Sequence, residues 1–174
     1  MPAITIKGLH HNAYRCRDSE ETRRFYEGFL GLPLAGALEL SETKTGRATR
    51  ALHTFFKLGD GSFLAFFEVP DQPFTFKTQH DFDLHIALEI EASLLDIFLA
   101  RGLAAGIETR GVTDHRFIRS VYFRDPNGYV IELTAKMPGH DQAMDPATNG
   151  ARDVLRRWQE RKAVADTAQS LPAE

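Results

Sequence analysis

The chain repeats one pattern of strand, helix and paired strands, and this repeat limits its possible folds more than any other feature. Residues 8–34 read GLHHNAYRCRDSEETRRFYEGFLGLPL and residues 83–107 read DLHIALEIEASLLDIFLARGLAAGI. Each copy opens with an apolar strand containing His-x-Ala and continues into an amphipathic helix, expected near residues 19–30 and 92–102. Each helix ends in a Gly-Leu pair. The repeat predicts two similar modules.

The second half of each module repeats as well. Residues 52–69 hold two apolar runs about Gly-Asp-Gly, and residues 120–134 hold two about Asp-Pro-Asn-Gly. Both patterns are typical of strands joined by tight turns. We expect modules at about 8–70 and 82–136, which together form one paired domain over residues 1–136. A C-terminal extension, 137–174, is expected to hold a loop and one helix over 151–163, capped by Asn149.

Composition indicates a globular chain and excludes several kinds of partner. The 174 residues are 43% hydrophobic and 26% charged, which are ordinary globular values. No apolar run is long enough to span a membrane, and no signal peptide is evident, so a cytoplasmic protein without a membrane partner is expected. A net charge of −3 provides no basic surface for nucleic acid. The single cysteine, Cys16, excludes an internal disulfide and a multi-cysteine zinc site.

Two histidines and one glutamate stand out as candidate metal ligands. His11 and His85 occupy equivalent places in the two copies, and Glu132 is a charged residue within the apolar run YVIELT. Taken alone, each would be an ordinary core or surface side chain. A buried carboxylate is costly without a cation or a hydrogen-bond donor. Two imidazoles and one carboxylate are also the ligand set of many Fe(II) enzymes, so the three residues together predict a metal site.

These motifs resemble those of the vicinal oxygen chelate superfamily, which includes glyoxalase I, type I extradiol dioxygenases, and bleomycin and fosfomycin resistance proteins. The matching elements are His11-x-Ala, Phe25-Tyr26 leading to Leu30-Gly31-Leu32, His85-x-Ala, and Tyr122-Phe123-x-Asp125-Pro126-x-Gly128-x-x-x-Glu132. The resemblance implies an α+β fold in which two βαβββ modules form a half-barrel around a metal cavity, followed here by a C-terminal helix. Members are often dimers, so a homodimer or higher homo-oligomer is expected.

The number of protein ligands separates reactions within this superfamily. Glyoxalase-like members place a fourth ligand on the last strand of module one, whereas extradiol-like members use three. Superposing the turn glycines Gly61 and Gly128 places Ala65 opposite Glu132, and superposing glutamates places Glu68 there. These two positions face opposite sides of a regular strand. Ala65 is preferred because it needs no insertion, and Glu68 remains the alternative.

The resemblance to small extradiol dioxygenases supplies candidate catalytic residues. Tyr122 lies ten residues before Glu132, the spacing of a tyrosine that contacts the substrate in those enzymes. His53 resembles their acid–base histidine, and His115 is carried over although the family usually places this histidine nine residues before the tyrosine rather than seven. Neutral imidazole can take and return a proton near pH 7. The implied reaction is ring cleavage of a catechol-type aromatic by O2 on Fe(II), or on Mn(II).

Two other functions stay open. The first is a glyoxalase- or epimerase-like lyase or isomerase that uses Glu68 as a fourth ligand to Ni(II), Co(II) or Zn(II). The second is a small-molecule-binding resistance protein, which the three intact ligand candidates disfavour. In every case phenylalanines are expected to line the cavity. Candidate contacts for an anionic substrate group are Arg47, Arg50 and Arg119.

Overall fold

The fold consists of the two similar α+β modules that the repeat predicted. The computed structural model describes residues 6–43, 45–76, 80 and 85–169. The first module comprises β1 (Tyr14–Arg15), α1 (Ser19–Arg23), β2 (Leu34–Glu42), β3 (Ala48–Lys57) and β4 (Phe63–Glu68). The second comprises β5 (His85–Glu89), α2 (Leu95–Ala104), β6 (Thr109–Asp114), β7 (Ile118–Arg124) and β8 (Val130–Lys136).

Each module forms its own four-stranded sheet, and the two sheets have the same topology. The strand orders are β1-β4-β3-β2 and β5-β8-β7-β6. In both sheets the first strand runs parallel to the last, and the remaining neighbours are antiparallel. The helix supplies the crossover that this parallel pairing requires. In the first module the parallel pairing begins early, because His11 bridges to Phe63 ahead of β1.

The helices lie close to their predicted positions. The side chain of Asp18 caps α1 by accepting a hydrogen bond from the N–H of Glu21 at 2.7 Å. The helix then continues as a π-helical stretch, Arg24–Phe29, within the predicted range of 19–30. A 3₁₀ turn, Ala92–Leu94, leads into α2, which ends two residues after the predicted residue 102.

One hydrophobic core joins the two modules. Tyr26 and Phe66 of the first module and Phe123 and Ile131 of the second are almost fully buried in the same cluster. The ring of Phe29 packs edge-on against Phe123, with centroids 5.1 Å apart. Burying a large apolar side chain stabilises a fold by roughly 1.5–3 kcal/mol. This shared core therefore fixes the position of one sheet relative to the other.

The Asp-Pro-Asn-Gly turn of module two adds a polar connection to module one. Asn127 accepts a hydrogen bond from the N–H of Arg17 at 2.8 Å and donates one to Thr22 at 3.2 Å. Asp125 accepts a hydrogen bond from the hydroxyl of Tyr26 at 3.0 Å, and burial raises the pKa of this carboxyl. All four of these side-chain groups are buried or partly buried, so the turn both reverses the chain and joins the modules.

The C-terminal extension is more helical than the sequence predicts. A short helix, α3 (His140–Met144), lies in the segment expected to be a loop. The last helix, α4 (Ala151–Gln169), runs six residues beyond the expected end at 163. Asn149 accepts a hydrogen bond from the N–H of Ala151 at 2.9 Å, as expected for a capping side chain. In the described part of the chain, no helix is both long and apolar enough to cross a membrane.

Candidate metal centre

The candidate site lies on one face of the second sheet. Strand register places Glu132 beside Tyr122 on β7 and beside Ala87 on β5, and places Tyr122 beside Arg110 on β6. Paired residues share a face of the sheet, so His85, two positions before Ala87, also lies on this face. These side chains line an open cavity of about 860 Å³.

Glu132 and His85 form the centre of the cavity. Glu132 is only 6% exposed, and its Oε2 lies 3.4 Å from Nε2 of His85. Two ligands held about 2.1 Å from one cation, with a ligand–metal–ligand angle of about 90–110°, are separated by roughly 3.0–3.4 Å. The imidazole and the carboxylate are thus spaced as two ligands of a divalent ion, and the donor set suits Mn(II), Fe(II) or Zn(II).

Tyr122 and His115 extend this centre through hydrogen bonds. The hydroxyl of Tyr122 donates to Oε1 of Glu132 at 3.1 Å, and Nε2 of His115 lies 2.8 Å from the same hydroxyl. Because a phenol has one proton, Nε2–H of His115 is the donor in the second bond. Burial, followed by the charge of Glu132, raises the pKa of Tyr122. The phenol therefore stays protonated near neutral pH and orients the carboxylate.

His11, the remaining ligand candidate, lies on the other sheet. It is exposed, and its ring lies near those of His10, His53 and Phe55, with centroids 5.0, 6.1 and 5.6 Å away. Among the described residues, no three histidine, cysteine, aspartate or glutamate side chains come together in a metal-binding group. Within one chain, His85 and Glu132 therefore lie together, whereas His11 does not lie with them.

His53 likewise lies apart from Tyr122 and His115. Its buried imidazole stacks on Phe67 at a centroid distance of 3.6 Å. Its Nδ1 donates to the carbonyl oxygen of Phe66 at 3.0 Å. Together with His11, it lies on the face of the first sheet that points away from the hydrophobic core, near Phe55.

Strand register decides between Ala65 and Glu68 as the counterpart of Glu132. His11 pairs with Phe63 as His85 pairs with Val130, so the residues two positions further along, Ala65 and Glu132, are equivalent. Ala65 is fully buried. The carboxylate of Glu68 accepts a hydrogen bond from the N–H of Ser19 at 2.8 Å, so it is occupied at the start of α1. This geometry favours three protein ligands over four.

Sequence patterns missed several residues that line the cavity. Arg110, Thr113 and Arg116 line it, in place of the expected Arg47, Arg50 and Arg119. Arg50 instead forms an ion pair with Asp71 at 3.3 Å. The guanidinium of Arg110 lies 5.8 Å from the centre of the Tyr122 ring. Pairing β6 with β7 in the sequence would have placed Arg110 beside Tyr122.

Comparison with known proteins gives a consistent family relationship. A model of the Glyoxalase/Bleomycin resistance protein/Dioxygenase superfamily matches residues 8–133. The metallothiol transferase FosB of Shouchella clausii (strain KSM-K16) is 30% identical over 139 residues, which cover 74% of this chain and 80% of the relative. This relative is a transferase by name rather than an oxidoreductase.

Solved structures have the same fold. The fosfomycin resistance protein FosX of Listeria monocytogenes, determined with Mn(II) and sulfate, has a TM-score of 0.57 at 23% identity. The match covers 79% of this chain and 99% of that one. A glyoxylase/bleomycin resistance protein/dioxygenase domain from Frankia sp. EAN1pec has a TM-score of 0.62 at 18% identity, covering 76% of this chain and 100% of that one. Between a fifth and a quarter of this chain therefore lies outside each match.

Proposed function

Because the chain belongs to the glyoxalase/bleomycin resistance protein/dioxygenase superfamily, we propose that it is a divalent-metal enzyme acting on a small anionic substrate. The observation that carries this proposal is the pair formed by the buried Glu132 and the exposed His85, spaced as two metal ligands in an open cavity. Mn(II) and Fe(II) suit the site best, since two imidazoles and a carboxylate leave open positions for substrate oxygens.

In this proposal the third ligand, His11, comes from a second copy of the chain. His11 is exposed and is not joined to His85 and Glu132 within one chain. The core fixes the two sheets relative to each other, so bringing His11 to Glu132 of the same chain would break that core. A symmetric pair of copies supplies each site with one His11 and needs no such rearrangement.

The charge of the cavity supports an anionic substrate. Its lining includes two arginines, Arg110 and Arg116, and two carboxylates, Asp114 and Glu132. Their formal charges cancel, so a bound divalent ion makes the cavity positive. Arg110 and Arg116 would hold the anionic group, while Tyr122 keeps Glu132 oriented. The bound ion would act as a Lewis acid that polarises a substrate oxygen.

We favour addition of a nucleophile to a small electrophile as the reaction class. The relative FosB is a metallothiol transferase by name, and FosX of similar fold was determined with Mn(II) and sulfate. A phosphonate carries the same kind of anionic oxygens as sulfate, so an epoxide bearing a phosphonate, with a thiol or water as nucleophile, is the first substrate to test.

Extradiol cleavage of a catechol is the second candidate, and one observation favours it. His115 and Tyr122, two candidate catalytic residues taken from the resemblance to extradiol dioxygenases, both line the cavity and are joined by a hydrogen bond. The aromatic face of the first sheet, with Phe55 and Phe67 beside His53, would also suit a flat ring. His53 would then come from the second copy, as His11 does.

One experiment separates the two candidates. The protein is loaded anaerobically with Mn(II) or Fe(II) and offered fosfomycin with a panel of thiols, or a panel of catechols followed by air. Epoxide opening consumes fosfomycin, either only when a thiol is present or with water alone, and is observed by phosphorus NMR, whereas extradiol activity consumes O2 and forms a yellow product. Failure to bind either metal stoichiometrically would refute the proposed centre itself.

A further inference from the structure

Helix α4 exposes an apolar surface that lies outside the family match. That match ends at residue 133, whereas α4 begins at Ala151. Val154, Leu155 and Trp158 are 55%, 60% and 54% exposed. With about 3.6 residues per turn, these three side chains fall on one side of the helix. A helix of this kind gains most of its stability from packing its apolar side against a partner.

Two arginines of α4 lie on one border of this apolar surface, and a third lies at its back. Arg156 forms ion pairs with Asp153 at 3.2 Å and with Glu160 at 3.1 Å, and helical geometry places all three opposite Trp158. Arg157 and Arg161 instead both border the apolar surface on the side of Val154, and the guanidinium of Arg161 lies 5.6 Å from the centre of the Trp158 ring. The side that would meet a partner is therefore apolar with a basic border.

Strand β2 has the complementary surface. It is the outer strand of the first sheet, and Leu38 and Leu40 are 55% and 37% exposed. Glu39 and Glu42 are also exposed, and no residue in the described part of the chain forms an ion pair with either. Natural proteins cover exposed edge strands to prevent uncontrolled pairing, and a helix is one such cover.

We propose that α4 of one copy docks on β2 of a second copy, so that each chain closes the other's edge strand. Val154 and Trp158 are about 6 Å apart along the helix, and Leu38 and Leu40 are about 7 Å apart along the strand. Glu39 points to the opposite face of the strand from Leu38 and Leu40. A helix lying along the open edge of β2 would therefore meet both faces and bring Arg157 and Arg161 toward Glu39 and Glu42. Within one chain the two surfaces do not meet, because residues 151–162 of the helix are all exposed.

This inference rests on the proposed function, in which the first sheet of one copy meets the second sheet of another. Helix α4 follows β8, the strand of Glu132, after 14 residues, 137–150. A helix tethered there lies within reach of the first sheet of the second copy. The basic apolar surface would also suit an anionic membrane, but β2 matches it in both charge and spacing, so we place it on a second copy.

Trp158 provides a direct test because it is the only tryptophan of the chain. The full-length protein is diluted while light scattering measures its mass and fluorescence measures the Trp158 emission. Docking predicts that the emission moves to longer wavelength over the same concentration range in which the dimer dissociates. Replacing Leu38 and Leu40 together by Gln should raise the dimer Kd by about tenfold or more and move the emission in the same direction.

A charge exchange identifies the contact. Glu39→Arg with Glu42→Arg, and separately Arg157→Glu with Arg161→Glu, should each weaken the dimer, and combining all four should restore it. Asp96→Arg, an exposed change on α2, is the matched control and should leave the dimer Kd unchanged.

A dimer that binds metal through His11 without any change in Trp158 emission would overturn the docking and leave the proposed function standing. A monomer at all concentrations would overturn both. An emission shift caused only by phosphatidylserine vesicles would assign α4 to membranes instead.

Discussion

A buried carboxylate needs compensation, and Glu132 has two neighbours that provide it. Tyr122 donates a hydrogen bond to one oxygen, and His85 lies 3.4 Å from the other. His115 donates to the Tyr122 hydroxyl in turn. Each bond fixes the orientation of the next group, so the chain of contacts sets the direction in which Oε2 points. Second neighbours of this kind are expected to tune metal affinity.

Tyr122→Phe should weaken metal binding without unfolding the protein. Removing the hydroxyl leaves Oε1 of Glu132 without its donor, and losses of this kind lower metal affinity by roughly 10–100-fold. Isothermal titration with Mn(II) measures the change. Tyr129→Phe is the matched control, because its hydroxyl donates to the carbonyl of Arg15 and contacts none of the proposed ligands. Equal metal affinity in the two variants would contradict the role of Tyr122.

Glu68→Ala should leave the metal affinity unchanged and lower stability modestly. Its carboxylate accepts a hydrogen bond from the N–H of Ser19, and losing such a bond costs on the order of 1 kcal/mol. Glu132→Gln, in contrast, should abolish tight metal binding. Metal titration and thermal unfolding of both variants separate the two roles. A loss of metal in Glu68→Ala would restore the four-ligand arrangement.

At the scale of single residues, the sequence predicted which strand positions of the two modules are equivalent. It predicted less well which side chains lie close together. Counting from the turn glycines selected Ala65 as the counterpart of Glu132, since residues in a strand follow a strict two-residue period. The place of His53 on the other sheet, stacked on Phe67, depends on which sheets face each other. Periodicity carries no information about that choice.

The elements of the two modules match because the same short signals form them. Apolar residues at helical spacing, Gly-Leu pairs at the helix ends and turn glycines predicted both helices and both hairpins, and the structure confirms them. The sequence did not reveal that the Asp-Pro-Asn-Gly turn also connects the two modules. Its side chains bind Arg17 and Thr22 of the other module, a long-range contact that no local pattern predicts.

Gly102→Ala tests the packing of α2 on its sheet. A Cβ at this position would lie 2.5 Å from one ring atom of Phe123 and 2.5 Å from the hydroxyl oxygen of Thr109. Overpacking of this kind should lower the free energy of unfolding by about 1–3 kcal/mol. Gly28→Ala is the matched control, because nothing lies within 4 Å of its Cβ position. It should be neutral or stabilising by up to about 1 kcal/mol. Urea unfolding of both variants provides the measurement.

For the whole molecule, buried tyrosines at the module interface set the response to alkaline pH. Burial raises the pKa of Tyr129 from 10.0 to about 12, and burial also raises the pKa of Tyr26. A group with a raised folded pKa contributes stability that is present below its unfolded pKa and is lost as the pH rises through its folded pKa. Stability should therefore fall between about pH 10 and 12.

Tyr129→Phe isolates one part of this alkaline effect. The variant should lose about 1 kcal/mol at neutral pH, because the hydrogen bond to Arg15 is gone. Between pH 10 and 12 its stability should then fall less steeply than that of the wild type, by on the order of 2 kcal/mol in total. Urea unfolding at several pH values tests this. An identical slope in both proteins would show that Tyr129 ionises normally in the folded state.

A metal site shared between two copies of the chain predicts that two inactive variants regain metal binding when they are mixed. A site within one chain could not give this result. His11→Ala and Glu132→Ala should each abolish tight metal binding in the homogeneous protein. If the two variants are unfolded, mixed in equal amounts and refolded, half of the dimers carry one chain of each. Every such dimer has one site with both mutations and one site with none, so roughly a quarter of all sites should bind Mn(II). Metal analysis after gel filtration measures this fraction, and refolding each variant alone is the control. A mixture that binds no metal would mean that His11 and Glu132 act within the same chain or not in one site.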